Sequence, residues 1–173
     1  RLSLVGSEMC IRDRNKEEKT NVMRVLEQKK IAYTAHTYPH EEGMAVDGVT
    51  VAKSMGFDPA IVFKTLVARG ASKQYYVFDV PVAENLDLKK AAKAVGEKSI
   101  EMIHQKELLP LTGYIHGGCS PVGMKKLFPT VFHSSAENLA AMIVSAGKIG
   151  YQVECAPADL IKAARATTAH IIF

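Results

Sequence analysis

The sequence predicts a single α+β domain with a mixed, mostly antiparallel and curled sheet of six to eight strands, surrounded by helices. Short runs rich in β-branched and aromatic residues recur along the chain, as is typical of strands. Segments with the apolar period of amphipathic helices lie between them, and short hairpin-like links join several runs. A length of 173 residues suits one domain with a substantial core.

The composition is that of an ordinary globular protein, with 47% hydrophobic and 23% charged residues. No stretch approaches the roughly 20 apolar residues of a membrane span, so no membrane partner is expected. The net charge of +4, with both signs interspersed, is compatible with a polyanion such as RNA without indicating one. Three separate cysteines without a Cys-x-x-Cys pair favour a reducing cytoplasm over a disulfide framework.

The first fourteen residues differ in character from the rest of the chain. Residues 1–14 lack the apolar core of a secretory signal. They resemble translated adapter sequence, so we expect residues 1–14 to be non-native and residues 15–173 to form the domain.

The N-terminal third begins with a predicted helix over residues 20–30, where apolar residues recur at helical spacing. Alternating apolar and polar residues then predict a strand ending near His36. Pro39 and Gly43 mark a loop. A second helix is predicted from Asp47 as N-cap to Met55.

The two clearest strands are residues 61–68 and 74–82, with residues 69–72 as a hairpin link. Lys64 interrupts the first of them. A lysine there lies either on an exposed edge or in a cavity, and the edge is the commoner case because lysine is rarely buried without a partner.

The remaining elements follow the same signals. A helix is predicted between Asp87 as cap and Gly96 as stop. Its lysines share a solvent-exposed face that RNA could also contact. A strand over residues 99–102 and a helix over residues 104–109, halted by Pro110, come next. Strands are then predicted at residues 129–133, 142–145 and 151–155, before a last helix that opens at Pro157.

A glycine-rich loop, Gly113-Tyr-Ile-His-Gly-Gly-Cys-Ser-Pro-Val-Gly123, separates the two halves. Glycine allows close backbone approach and Pro121 restricts the loop, so its amides could face an anion or a developing oxyanion. The alternative is a tight connection between two strands.

No metal site and no cofactor are predicted. His36 and His40 are four residues apart, but Pro39 between them excludes a regular helical pair and no third ligand is evident. Cys119 with His116 could form a thiol nucleophile, although buried unreactive cysteine is the commoner case.

Several motifs follow one another in order along the chain: His36-Thr-Tyr-Pro-His40, Val62-Phe-Lys-Thr-Leu66, Val80-Pro-Val82, Leu86-Asp-Leu-Lys-Lys90, Thr112-Gly-Tyr, Gly117-Gly-Cys-Ser-Pro-Val-Gly123, Val144-Ser-Ala-Gly-Lys148, Gly150 and Pro157-Ala-Asp-Leu160. Together they resemble the motifs of the YbaK family of free-standing aminoacyl-tRNA deacylases, which is related to the editing domain inserted in bacterial prolyl-tRNA synthetases. The match spans about residues 20–161, and the last nine residues match poorly, as a truncated or frameshifted end would.

The resemblance implies Lys64 as the catalytic residue, with its charge on the terminal phosphate or the ester carbonyl. The substrate-binding residues that it implies are Tyr38, Thr65, Gly117, Gly118, Ser120, Pro121, Ser145 and Gln152. At Gln152 the best-known member has an acidic residue, and a neutral amide cannot act as a base.

The resemblance further implies trans-editing of mischarged tRNA, closest to the branch that removes cysteine from tRNA(Pro) and from Cys-tRNA(Cys). In that branch the substrate's own thiol attacks its ester carbonyl. Aminoacyl-tRNA is the implied substrate and prolyl-tRNA synthetase an implied partner. Two alternatives remain: an Ala-tRNA(Pro) hydrolase, and a non-catalytic module that binds tRNA or a synthetase.

Overall fold

The computed structural model describes residues 19–173, so residues 1–18, including the segment 1–14 predicted to be non-native, lie outside it. Within the described range the chain forms five α-helices and eight strands. The predicted α+β class is confirmed. None of these helices is longer than eight residues, whereas crossing a bilayer takes roughly 20.

The helices and strands follow the predicted order closely. The α-helices are α1 Asn21–Gln28, α2 Gly48–Ser54, α3 Leu88–Val95, α4 Gln105–Thr112 and α5 Pro157–Ala163, with short 3-10 helices at Pro59–Ile61 and Ser134–Asn138. The strands are β1 Thr34–Thr37, β2 Phe63–Gly70, β3 Tyr75–Pro81, β4 Ile100–Met102, β5 Thr130–His133, β6 Met142–Ser145, β7 Tyr151–Cys155 and β8 Thr167–Ala169.

The strands form two sheets rather than one. The smaller has the order β1-β7-β6 and is antiparallel throughout. The larger has the order β4-β2-β3-β5-β8, in which β5 is parallel to both β3 and β8. Antiparallel pairs therefore predominate, as predicted.

A single parallel bridge between Val62 and Ile143 joins the two sheets where β2 begins. The sheets enclose the main core, to which α1 contributes Val22 and Leu26. Because side chains alternate along a strand, the other face of the larger sheet buries a second cluster against α3.

Short polar signals fix the helix ends. Asp47 accepts a hydrogen bond from the N–H of Thr50 at 3.2 Å, and Asp87 accepts from the N–H groups of Lys89 and Lys90. Gly96 ends α3 with φ of 75°, which glycine adopts without steric cost. These predicted caps are confirmed, because a cap satisfies backbone groups locally and needs no tertiary contact.

Pro110 does not halt α4, and the prediction that it would is wrong. The helix continues to Thr112 and ends at Gly113, where φ is 85°. Proline removes only the N–H that would donate to Lys106. The Gly113 N–H still donates to Leu109 C=O at 2.9 Å, and the Thr112 hydroxyl donates to Leu108 C=O at 2.8 Å.

The C-terminal residues join the fold, which the sequence did not predict. β8 pairs in parallel with β5, and Ile171 is fully buried in the second core cluster. Lys90 reinforces the attachment by donating to the carbonyl of Ile172 at 2.8 Å. Three residues are too few for a recognisable strand pattern, so only tertiary pairing reveals β8.

We expect Ile171→Ala to lower the free energy of unfolding by about 2–5 kcal/mol, the usual cost of emptying a fully buried isoleucine site. Phe173→Ala is the control: its side chain is 79% exposed, so a change within about 0.5 kcal/mol is expected. Urea unfolding monitored by circular dichroism measures both. Equal, small effects of the two substitutions would contradict this role of the C-terminal segment.

Candidate active site

A cavity of about 410 Å³ opens between β2, the start of α2, the glycine loop and the ends of β6 and β7. Its volume is within the range of small-molecule sites. Six of the nine predicted site residues line it: Tyr38, Lys64, Thr65, Gly117, Ser145 and Gln152. The predicted alternatives Cys119 and His116 line it as well.

The cavity lies against an unpaired part of the β2 edge. On that edge β4 pairs only with residues 68–70, and the bridge to β6 lies at Val62. No strand of residues 19–173 is registered there against residues 64–66. Lys64 and Thr65 point to opposite faces because they are consecutive, and both reach the cavity because it lies at the strand's edge.

The backbone of Thr65 also faces this gap. The Val82 N–H donates to Val62 C=O and the Gly70 N–H donates to Gln74 C=O, so even-numbered residues of β2 bond to β3. Odd-numbered residues, Thr65 among them, therefore direct their N–H and C=O toward the cavity edge.

Lys64 is a half-buried cation. Burial lowers its pKa, and the charges of Asp47 and Glu84 partly offset that effect. Among residues 19–173 no carboxylate lies within 4.0 Å of its ammonium group. The ammonium is thus available to an anion or a polarised carbonyl. Of the two positions raised for Lys64, the structure shows the cavity rather than an exposed edge.

Thr65 is paired with a buried acid. Its hydroxyl lies 2.5 Å from Oδ1 of Asp79, its cross-strand neighbour on β3. Asp79 is fully buried and its Oδ2 has no hydrogen-bond partner. Burial raises the pKa of Asp79 to about 8, against the smaller lowering effect of the Thr65 hydrogen bond.

Tyr114 braces the glycine loop. Its hydroxyl donates to Val122 C=O at 2.5 Å across the loop. Gly117 lines the cavity with φ of +90°, and a Cβ on it would lie 2.7 Å from Cβ of Ala45. Only glycine fits this position without displacing its neighbours.

Three predicted loop residues do not reach the cavity. The Gly118 N–H is used inside the loop, where it donates to Ile115 C=O at 3.0 Å, so this amide is not free in the structure and substrate binding by Gly118 stays a prediction. Ser120 and Pro121 belong to the loop but are buried and do not line the cavity. The Ser120 hydroxyl accepts from the Val122 N–H at 3.3 Å, which makes its role internal to the turn.

Cys119 is a poor candidate nucleophile. Burial, together with the nearby Asp79, raises the pKa of its thiol to about 12. Since the thiolate is the reactive form, this thiol is essentially inert near neutral pH. The observation favours the alternative of a buried, unreactive cysteine.

Gln152 and Ser145 face each other across β7 and β6. The Gln152 side chain is 7% exposed, and its Oε1 has no partner although it lies at the cavity. An unsatisfied buried acceptor is costly, so a ligand that donates a hydrogen bond there is favoured. Ser145 Oγ instead accepts from the Gly147 N–H at 3.1 Å.

The two histidines considered as metal ligands have other partners. His36 Nε2 lies 2.7 Å from Glu154 Oε1, and His40 Nδ1 donates to the carbonyl of Tyr38 at 3.1 Å. Across residues 19–173, no three His, Cys, Asp or Glu side chains are grouped closely enough to hold a metal.

Comparison with known proteins identifies the family of this chain. Residues 40–163 match the aminoacyl-tRNA editing domain family. This chain belongs to that family. The resemblance inferred from the motifs is therefore confirmed for the family.

A curated relative of this editing domain comes from Enterococcus faecalis and is provisionally named Cys-tRNA(Pro)/Cys-tRNA(Cys) deacylase EbsC. It is 46% identical over 145 residues, which cover 84% of this chain and 88% of that protein. A solved structure provisionally described as a trans-editing enzyme for prolyl tRNA synthetase is 22% identical with a TM-score of 0.75, covering 88% of this chain and 94% of that one. A hypothetical protein is 18% identical with a TM-score of 0.78, covering 88% and 99%. The two structures establish likeness of fold.

Sequence reasoning missed two acids of the editing domain's site. Asp79 interrupts the β-branched run of β3, and a carboxylate inside a buried strand was the signal that could have found it. Asp47 was recognised only as a helix cap, although it also lines the cavity and acts electrostatically on Lys64.

The raised pKa of Asp79 predicts a specific pH dependence of stability. The folded state keeps a proton that the unfolded state releases between about pH 4 and pH 8, so stability from this group is lost as the pH rises through that window. Relative to the wild type, Asp79→Asn should gain on the order of 3 kcal/mol between pH 5 and pH 8. Urea unfolding at both pH values measures the gain.

Glu41→Gln serves as the control, because it removes one exposed carboxylate. A difference between Asp79→Asn and the wild type that does not vary with pH would show that Asp79 is ionised in the folded protein.

Proposed function

We propose that this editing domain is a trans-acting deacylase that removes cysteine from Cys-tRNA(Pro) and Cys-tRNA(Cys). The observation that carries the proposal is the unpaired Lys64 ammonium in a cavity without an activated nucleophile. The name of the Enterococcus faecalis relative at 46% identity supports the same substrate. The proposed place of reaction is the cytoplasm, with which two free buried cysteines are consistent.

An aminoacyl ester is already activated, so the site need only orient it and stabilise charge on its carbonyl oxygen. In the proposed reaction the substrate thiol attacks its own ester carbonyl. A carbon–sulfur bond forms, the bond from the carbonyl carbon to the ribose oxygen breaks, and the thiol proton passes to that oxygen. The products are free tRNA and a cyclic thiolactone.

Different lining residues would orient the ester and stabilise the charge on its carbonyl oxygen. Lys64 supplies positive charge for the carbonyl oxygen or the terminal phosphate. Gly117 allows the loop to approach the substrate closely, and Gln152 Oε1 is positioned to accept a hydrogen bond from the substrate's α-ammonium group. Tyr38, which is 5% exposed, and Ser145 shape the wall beside them.

Prolyl-tRNA synthetase is the proposed protein partner, since tRNA(Pro) mischarged by that enzyme is the proposed substrate. The structural neighbour described as a trans-editing enzyme for prolyl tRNA synthetase supports this association.

The decisive assay follows the loss of amino acid from Cys-tRNA(Pro) and Ala-tRNA(Pro), each incubated separately with the protein. We expect cysteine to be lost well above the rate in buffer and alanine to be retained, because alanine has no thiol. Preferential loss of alanine would indicate attack by water and the sibling specificity. Binding of tRNA with no deacylation of either would indicate a non-catalytic module.

In the same assay Lys64→Ala should lower kcat/KM for Cys-tRNA(Pro) by about 100-fold or more, the scale of losing one charge-stabilising group. Lys162→Ala is the matched control, because it removes an exposed lysine from α5. Circular dichroism establishes that both variants fold. Full activity of the folded Lys64→Ala variant would contradict the proposed site.

A further inference from the structure

The buried carboxyl of Asp79 has fewer hydrogen-bond partners than an ionised buried carboxylate needs. An ionised carboxylate inside a protein needs several donors or a cation to balance its lost hydration. Asp79 has one partner, the Thr65 hydroxyl on Oδ1, and its Oδ2 is buried without any. A single hydrogen bond at Oδ1 leaves a charged carboxylate largely unsatisfied, whereas a neutral acid can make that same bond with its own proton.

Among residues 19–173, no cation pairs with Asp79 to balance a charge on it. β2 presents Thr65 to it, β5 places Phe132 beside it in register, and the glycine loop brings Cys119. Among the described residues, Cys119 is the titratable side chain that interacts with Asp79. Lys64 points to the opposite face of β2, where its charge interacts with Asp47 and Glu84.

We propose that Asp79 is a positioning residue that acts through Thr65 and sets the direction of its hydroxyl. A neutral Asp79 donates its own proton to Thr65 Oγ1. The Thr65 O–H is then free to donate to the carbonyl oxygen of the ester of a substrate in the cavity. A charged Asp79 accepts the Thr65 proton, and that donor is lost. This inference rests on the proposed deacylase function, because it assigns Thr65 a role toward the same ester.

The carboxyl's position makes the two states distinct. Thr65 lines the cavity while Asp79 does not, so Asp79 reaches a ligand only through the hydroxyl 2.5 Å away. A hydroxyl has one proton, and it cannot be given to Asp79 and to a ligand at once. With the pKa of Asp79 raised to about 8, the neutral form predominates at pH 7.

The test compares kcat/KM for Cys-tRNA(Pro) between Asp79→Asn and the wild type from pH 6 to pH 9. The asparagine amide donates to Thr65 at every pH, so the ratio of variant to wild type should rise about tenfold in total between pH 6 and pH 9, mostly above pH 8. Taking the ratio cancels the ionisation of the substrate thiol. A ratio that is constant with pH overturns the inference, because a purely structural acid would act equally at all pH values.

Thr65→Val shows whether the effect passes through the hydroxyl. In the Thr65→Val background, the ratio of kcat/KM with and without Asp79→Asn should not change with pH. A ratio that still rises with pH would overturn the route through Thr65. The wild-type protein also gives a direct readout, since ¹³C NMR follows the Asp79 carboxyl without any substitution. A midpoint near pH 8 supports the inference, and one below pH 5 overturns it.

Binding of 3′-cysteinylamido-3′-deoxyadenosine, a non-hydrolysable analogue, separates this inference from the proposed function. If Cys-tRNA(Pro) is not deacylated but analogue affinity falls above pH 8 in the wild type and not in Asp79→Asn, the proposed function fails and the inference stands. Deacylation with a flat ratio supports the proposed function and overturns the inference. Absence of both turnover and analogue binding overturns both.

Discussion

The gap in the edge of β2 determines where this molecule can bind a ligand. β2 is bridged to β6 at Val62 and paired with β4 from Ala68, so the strand edge between them has no strand partner in the described fold. Because this stretch of β2 has no partner strand, a cavity of about 410 Å³ remains there. A continuous pairing of β2 with β6 would close the cavity and occupy the backbone of Thr65.

At that edge, a single strand places two different functional groups at the cavity. Lys64, on one face, brings a half-buried charge, and Thr65, on the other, brings a hydroxyl tied to a buried acid. Among the described residues that line the site, the Cys119 thiol is not a strong nucleophile, since its pKa is raised to about 12. The arrangement suits a substrate that is already activated, for which orientation and charge are the main requirements.

Most of the fold followed from local signals in the sequence. The helix caps at Asp47 and Asp87 and the β2–β3 hairpin depend on residues close in sequence, and those were predicted. β8 and the bridge at Val62 depend on distant partners, so no local pattern shows them. At the site, the motifs indicated Lys64 and Gly117, but the internal bond of the Gly118 amide and the carboxyl under Thr65 are visible only in three dimensions.

The most direct measurement of the central claim maps 3′-cysteinylamido-3′-deoxyadenosine onto the protein by ¹H–¹⁵N chemical-shift perturbation. We predict that the largest changes fall on residues 63–66, Gly117 and Gln152, around the gap in β2. Shifts confined to residues 88–100, which line a second depression beside α3, would contradict this claim. In that case the aminoacyl end would bind outside the cavity described above.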